Sequence, residues 1–289
     1  MNQKIKHYDF KKGLALEFEI IDLSKAHSNH PKILTTAHRT GFYHIFWFTH
    51  GHFTHLVDFK PIEIVPNTLL FLNKDTVQRF SETGGFEGKA ILFTDNFFCK
   101  TEPDTKFLKS TYLFSNLLPV FKMQVSGDDS PFSVLFKQME HELLMDNDQQ
   151  HGNVLKNYLH NLLLLAEREN NGKNLLAVKQ GIDLDYVLAF KTELEIKFKL
   201  EKSVGYFANR LGITEKRLNL ATSKILGKSP KGIIDERVML EAKRLLAYTN
   251  DSVKQIGFEL GFEEPTNFIK FFRKHALTTP VEFRDNNQL

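Results

Sequence analysis

The sequence predicts a mixed fold: an N-terminal β-barrel or sandwich, an α-helical region after it, and a C-terminal all-α domain with two helix-turn-helix units. Three observations carry this. Short runs rich in aromatic and β-branched residues follow one another closely up to residue 100. Apolar residues at helical spacing replace them after residue 105. One segment recurs at an offset of 49 within the last ninety residues.

The totals are consistent with that division. At ~100–200 residues per domain, 289 residues make two domains, with boundaries expected at 1–170 and 182–289. A composition of 42% hydrophobic and 25% charged residues suits a globular chain with a core in each domain. No apolar run approaches the ~18–20 residues that span a membrane, and the start, Met1 to Lys6, leads into polar sequence rather than a secretory signal. The single cysteine, Cys99, has no internal disulfide partner, which fits a reducing compartment. A cytoplasmic protein with no membrane contact is expected. Net charge is +3. The stretch 182–289 holds 18 Lys and Arg against 15 Asp and Glu, while the rest balances at 20 of each. The basic excess is C-terminal and modest, so any argument for DNA must come from geometry.

Phe42–Phe48 and His52–Phe59 read as strands with Gly51-His52 as the turn between them. Lys60–Leu72 reads as strand, turn, strand, with Pro61 and Pro66 at edges or turns. Gly84-Gly85 marks a loop, followed by a strand over Gly88–Phe93. Several short strands so close together suggest a small barrel or sandwich. Phe132, Leu135, Phe136, Met139 and Leu143 then recur at helical spacing, as do Val154, Leu155, Tyr158, Leu159, Leu162, Leu163, Leu165 and Ala166. These two helices, Phe132–Met145 and Val154–Glu169, read either as dimerisation surfaces or as an intradomain bundle. Asn170–Asn174 is the expected linker. From Asp183 onward the chain reads as short helices.

The repeat carries the functional argument. Ser203–Ile213 matches Ser252–Phe262, and after one inserted residue Leu218 matches Phe268, Lys224 matches Lys274, and Ser229-Pro230 matches Thr279-Pro280. Each copy has the physics of a helix-turn-helix. A serine caps the first helix. Phe207 or Ile256 and Leu211 or Leu260 face inward, and Ala208 or Gly257 lets the second helix cross closely. Gly212 or Gly261 supplies the left-handed residue at the corner, which Ile213 or Phe262 plugs. Phe258, Phe271 and Phe272 are expected in the core. Between the copies, Lys231–Tyr248 reads as one helix of ~27 Å at ~1.5 Å per residue, against ~34 Å between successive major-groove faces on one side of a duplex.

The outward residues of the second helices are free to reach DNA. Asn pairs bidentately with adenine, and Lys or Arg with guanine. Lys216, Arg217, Asn219, Leu220, Ser223 and Lys224 are the exposed positions of the first unit; Thr266, Asn267 and Lys270 are best placed for the groove in the second, and Arg273 and Lys274 for phosphates. Solvated surface charge is the competing reading for Lys216 and Arg217. The helix starts at Ser203 and Ser252 present backbone N–H groups that suit phosphate. Glu263-Glu264 favour the positive end of the helix they precede, and Pro265 suits its first turn.

This C-terminal segment resembles the DNA-binding domain of the AraC/XylS family, most recognisably through Ser252–Lys274 and Thr279–Arg284. The N-terminal half resembles the family's cupin-like effector domain through His38, Gly41-Phe42-Tyr43, Gly51, Pro66–Phe71 and Thr94–Phe98. The resemblance implies that Lys216, Asn219 and Leu220 are base-reading positions. Leu220 stands where a basic residue is usual, and Thr222 where a core aromatic is usual. It also implies a homodimer and favours activation. The expected partners are double-stranded DNA, an unidentified small effector and RNA polymerase. Effector binding in the barrel would reorient the DNA-binding domain, changing DNA affinity or polymerase contact.

Within the barrel, His38, Arg39, Tyr43 and Trp47 are the expected effector contacts, with a filled core as the competing reading. Histidines at 27, 30, 38, 44, 50, 52 and 55 also raise a metal site, and with it the alternative of a cupin-type metalloenzyme with a vestigial helical tail. His38 is followed by Arg39-Thr40, so its His-x-His pair is incomplete; His50-Gly51-His52 lies at the hairpin turn; and Gln78-Arg79 stands where a distant histidine is expected. The expectation is therefore no metal, no cofactor and no catalytic residue.

Overall fold

The computed structural model describes residues 5–82, 84–115, 120–146, 148–170 and 181–287. The chain divides into two compact units, Lys6–Asn174 and Leu175–Leu289, the latter taking in Met1–Ile5.

Among the described residues the first unit has ten strands: β1 (Lys6–Tyr8), β2 (Phe18–Asp22), β3 (His38–Thr40), β4 (Tyr43–His50), β5 (Phe53–Val57), β6 (Lys60–Ile64), β7 (Thr68–Leu72), β8 (Gln78–Arg79), β9 (Glu87–Phe93) and β10 (Phe121–Gln124). Its helices are α1 (Leu23–Asn29), α2 (Pro31–Thr35), α3 (Asp95–Phe98), α4 (Glu102–Ser110), α5 (Pro131–Leu143) and α6 (His151–Asn170). The strands form two five-stranded sheets, ordered β1-β3-β8-β5-β6 and β10-β7-β4-β9-β2. The β4–β5 turn is made by Gly51, whose φ of +105° suits glycine alone, and Asn67 (φ +63°) makes the β6–β7 turn beside Pro66.

Strand β4 is central to its sheet, paired with β7 and β9 and buried on both faces. Its even-numbered residues Phe46 and Phe48 meet Val57, Ile64 and Phe80 of the other sheet. Its odd-numbered residues Tyr43, Ile45 and Trp47 form a second core with Phe132, Phe136, Met139, Leu155, Leu159 and Leu162. The unit is thus three-layered, sheet on sheet on helices.

The texture change at residue 105 is incomplete: β10 lies within the stretch expected to be helical and extends the second sheet by pairing with β7. The outer faces of α5 and α6 are mostly polar. Leu155, Leu159, Leu162 and Leu163 are fully buried within the unit, leaving Val134 and Leu164 as exposed apolar residues of these helices. Beyond Asn170 the expected linker, residues 171–174, lies outside the described residues.

The second unit is all helical: α7 (Ile182–Lys197), α8 (Val204–Arg210), α9 (Glu215–Leu226), α10 (Pro230–Tyr248), α11 (Val253–Glu259), α12 (Pro265–Ala276) and α13 (Pro280–Asn287). Helix α10 runs one residue earlier than the sequence predicts, with Pro230 in its first turn, where a missing N–H costs little, and Ser229 Oγ accepting from Gly232 N. Ile233, Ile234, Val238, Ala242, Leu245 and Leu246 are buried along it. Two arginines and a glutamate of α10 are also buried, paired to one another: Arg237 and Arg244 both reach Glu241, and Arg237 reaches Glu195 of α7 at 2.9 Å while stacking on Phe198.

Candidate nucleic-acid interface

Helices α8 and α9 form the first helix-turn-helix, and α11 and α12 the second. Both corners fold as glycine-terminated turns, Gly212 at φ +66° and Gly261 at φ +75°. In the second copy Gly257 permits close crossing: a Cβ there would stand 3.1 Å from Phe268 Cβ. Phe207, Ala208 and Leu218 are fully buried in the first copy; Ile256, Leu260, Phe268 and Phe272 are so in the second.

The copies differ in three ways that matter. Ser252 closes a capping box, accepting from Gln255 N while Gln255 Oε1 accepts from Ser252 N at 2.8 Å. Ser203 takes the N-cap backbone but makes no capping bond, and Tyr206 stands at the position from which Gln or Glu would return the reciprocal bond of a capping box. The left-handed residue ending α9 is Gly227 (φ +68°), whereas α12 ends on Leu277 at φ +62°, strained and 88% exposed. Phe258 is 46% exposed rather than in the core. It sits on the side of α11 opposite Ile256 and Leu260, with Lys254 over its ring.

The structure places Lys216, Asn219, Leu220, Ser223 and Lys224 on the exposed side of α9, and Thr266, Asn267, Lys270, Arg273 and Lys274 on that of α12. Lys216 and Lys270 enter no ion pair among the described residues. Thr222 is buried, its hydroxyl donating to the Asn219 carbonyl. Arg217 and Lys224 are not simply outward. Both pair with Asp183 in the first turn of α7, Lys224 Nζ at 2.5 Å, and the Arg217 guanidinium also lies over the Tyr186 ring. The two cations hold the Asp183 carboxyl below the usual carboxylate range, Lys224 foremost. No local sequence signal marks Asp183 or Tyr186, which lie more than thirty residues from their partners.

The other end of α7 meets the second copy. A Cβ on Gly261 would stand 2.0 Å from the Lys199 carbonyl oxygen. Lys199 pairs with Glu259 at 2.7 Å, and Lys202 lies over the Phe262 ring. One helix with its C-terminal extension therefore braces both units.

In the N-terminal unit the expected effector contacts do not converge. His38 is buried between the sheets, its Nδ1 2.8 Å from the Thr36 carbonyl. Arg39 alternates to the opposite side of β3. Tyr43 and Trp47 face the helices: Tyr43 donates to Asp95 Oδ1, and Trp47 packs on Phe136. What His38 shares its interior with is His44, His55 and Gln78, which the sequence raises in connection with a metal and not as effector contacts. His55 Nε2 lies 3.1 Å from Gln78 Oε1, and Gln78 Nε2 lies 3.3 Å from His44 Nε2. Burial lowers His38 below an ordinary imidazole and pushes His44 and His55 down to about 3. The Nδ1 atoms of His44 and His55 have no hydrogen-bond partner among the described residues. Among the described residues no three or more His, Cys, Asp or Glu are grouped to hold a metal, and His50 pairs with Glu87 at the exposed hairpin.

Residues 207–286 match the helix-turn-helix domain family. Among curated proteins, the uncharacterized HTH-type transcriptional regulator YisR of Bacillus subtilis is 39% identical over 61 residues, 21% of each chain. The HTH-type transcriptional activator RhaS of Escherichia fergusonii is 28% identical over 124 residues, 42% of each chain. The probable transcription factor PqrA of Proteus vulgaris is 29% identical over 86 residues, 30% of this chain and 70% of its own. The match thus spans less than half the length of the first two relatives. The solved structure of ToxT from Vibrio cholerae O395 aligns over 94% of this chain and 98% of its own at 12% identity, with a TM-score of 0.45. Residues 207–286 form a helix-turn-helix domain.

Proposed function

We propose that the protein is a transcription regulator that binds duplex DNA by setting α9 and α12 into successive major grooves on one face. The observation that carries this reading is the duplicated helix-turn-helix with both second-helix edges polar and exposed, joined by a 19-residue helix, ~28 Å at ~1.5 Å per residue. Lys216, Asn219, Thr266, Asn267 and Lys270 are the base-edge candidates. Arg217, Lys224, Arg273 and Lys274, with the backbone N–H groups following Ser203 and Ser252, take phosphates. Residues 182–289 make up the DNA-binding domain. Residues 1–170 form a cupin-like sensor whose helices α5 and α6 pair two copies. Its polar interior at His38, His44 and Gln78 suits a small effector better than Tyr43 and Trp47, which are committed to the helical core. Activation is supported by the relative RhaS, named a transcriptional activator; contact with RNA polymerase and a cytoplasmic location belong to the same proposal. A gel-shift on the chain's own upstream region tests the reading. Lys270→Ala weakens specific binding by ~1–3 kcal/mol and relaxes it, whereas Leu220→Ala changes it little. Unchanged affinity in Lys270→Ala removes α12 from the groove.

A further inference from the structure

Two of the cations offered to DNA are already occupied. Arg217 and Lys224 stand seven residues apart, on the flank of α9 that faces α7, and converge on one carboxylate, that of Asp183. That carboxylate is enclosed, with its side chain 12% exposed, while Lys224 remains 51% exposed and within reach of solvent. Arg217 is drawn further from solvent by the Tyr186 ring beneath it. An acidic oxygen pair receiving one guanidinium and one ammonium is the arrangement a backbone phosphate makes on such a helix. Elsewhere the second-helix cations are not held this way: Lys216 on α9 and Lys270 on α12 enter no ion pair among the described residues. The contact is therefore particular to the first unit, the same unit in which the apolar Leu220 lies exposed on the second helix. Asp183 is also the second residue of α7, whose other end seats Gly261 of the second unit, so the pair forms one end of the brace that spans both.

We infer that Asp183 is an intramolecular stand-in for DNA phosphate, holding Arg217 and Lys224 in the DNA-free protein and ceding them on binding. The inference rests on the DNA-binding reading above. Its consequence is a competition: every duplex must displace the carboxylate before gaining two phosphate contacts, which weakens binding by the first unit and makes its engagement responsive to movement of the first turn of α7.

The test uses the full chain and a mixed-sequence 30-base-pair duplex, with affinity measured across a salt series. Asp183→Asn keeps the side chain's size and removes its charge. It is expected to bind about fivefold or more tightly at 0.1 M salt. The slope of log K against log salt should steepen by about 1–2, as two phosphate contacts at ~0.9 each require. Lys224→Ala, added to Asp183→Asn, should remove about half of the gain in affinity and about half of the added slope. A folded Asp183→Asn with unchanged or weaker binding and the parent slope overturns the inference. Should that variant fail to fold, side-chain 15N NMR of Arg217 and Lys224 in the parent decides. Loss of the Asp183 pair on adding duplex supports the inference, and its persistence in the bound state overturns it. A parent chain that binds no duplex overturns the DNA-binding reading itself, and this inference with it.

Discussion

Alanine at the two corner glycines should produce very different losses, although the sequence presents them as equivalents. Both are left-handed, so either substitution incurs roughly 1–2 kcal/mol for a Cβ in that region. A gain of ~0.4–1 kcal/mol from a stiffer unfolded chain offsets part of it. Gly212 has open space around the added atom, so Gly212→Ala should cost about 1 kcal/mol or less. At Gly261 the added Cβ would lie 2.0 Å from the Lys199 carbonyl oxygen and 3.1 Å from Lys202 Nζ. The obstruction is backbone, so no rotamer relieves it. The corner and the α7 terminus must separate by about an ångström, an overpacking cost of ~1–3 kcal/mol, and the Lys199–Glu259 pair and the Lys202–Phe262 contact loosen with it. The total is about 2–5 kcal/mol. At ~4–8 °C per kcal/mol for a domain of this size, Gly261→Ala should lower the melting temperature of the C-terminal unit by at least ~8 °C, and Gly212→Ala by no more than ~8 °C. Calorimetry of both full-length variants reads this directly. Equal shifts would refute the bracing role of α7, because left-handed strain alone would then account for both.

Other outcomes follow from particular side chains. His44 and His55 are held neutral with pKa values near 3, below the ordinary 6.5. Their contribution to stability is present above pH 6.5 and is lost as pH falls from there toward 3, because the unfolded chain takes up protons first. Two such groups give a slope of up to ~2.7 kcal/mol per pH unit in that window. Urea unfolding of the N-terminal unit at pH 7.5 and 5.5 should therefore differ by about 3 kcal/mol, and a flat profile would contradict their burial. Leu277→Gly should raise stability by roughly 1 kcal/mol, since it relieves a left-handed leucine that buries almost nothing. A lower melting temperature in that variant would show that Leu277 makes contacts which its exposure denies. Glu241→Ala should cost about 3–5 kcal/mol by leaving two buried arginines short of an acceptor, and equilibrium unfolding showing a loss under 1 kcal/mol would mean the network is solvated.

The sequence made the C-terminal unit legible because a duplication repeats its own constraints. Ser, an apolar pair, a small residue and Gly return at one offset, and each has a local physical meaning. It concealed what depends on distant packing. Phe258 occupies a helical position whose partner face does not exist, and Arg217 meets an aspartate 34 positions upstream. The N-terminal hairpins were readable from Gly51 and Pro66-Asn67. Which side each β4 residue faces was not, because a strand covered on both faces shows no alternation: Tyr43-His44-Ile45-Phe46-Trp47-Phe48 reads as one apolar run. For that reason the sequence does not separate Tyr43 and Trp47, which face the helices, from His44, which faces Gln78, His38 and His55. Strand β10 escaped because its four residues carry no turn signal and gain their place only by pairing with β7.

Two recognition helices held in register by α10 make a geometric claim, and hydroxyl-radical footprinting on a genomically selected site measures it most directly. The account predicts, for each copy of the chain, two protected patches on one face of the duplex, one helical turn or about 10–10.5 base pairs apart, with the patch under α12 lost in Lys270→Ala. A single patch per copy, or two on opposite faces, would contradict it.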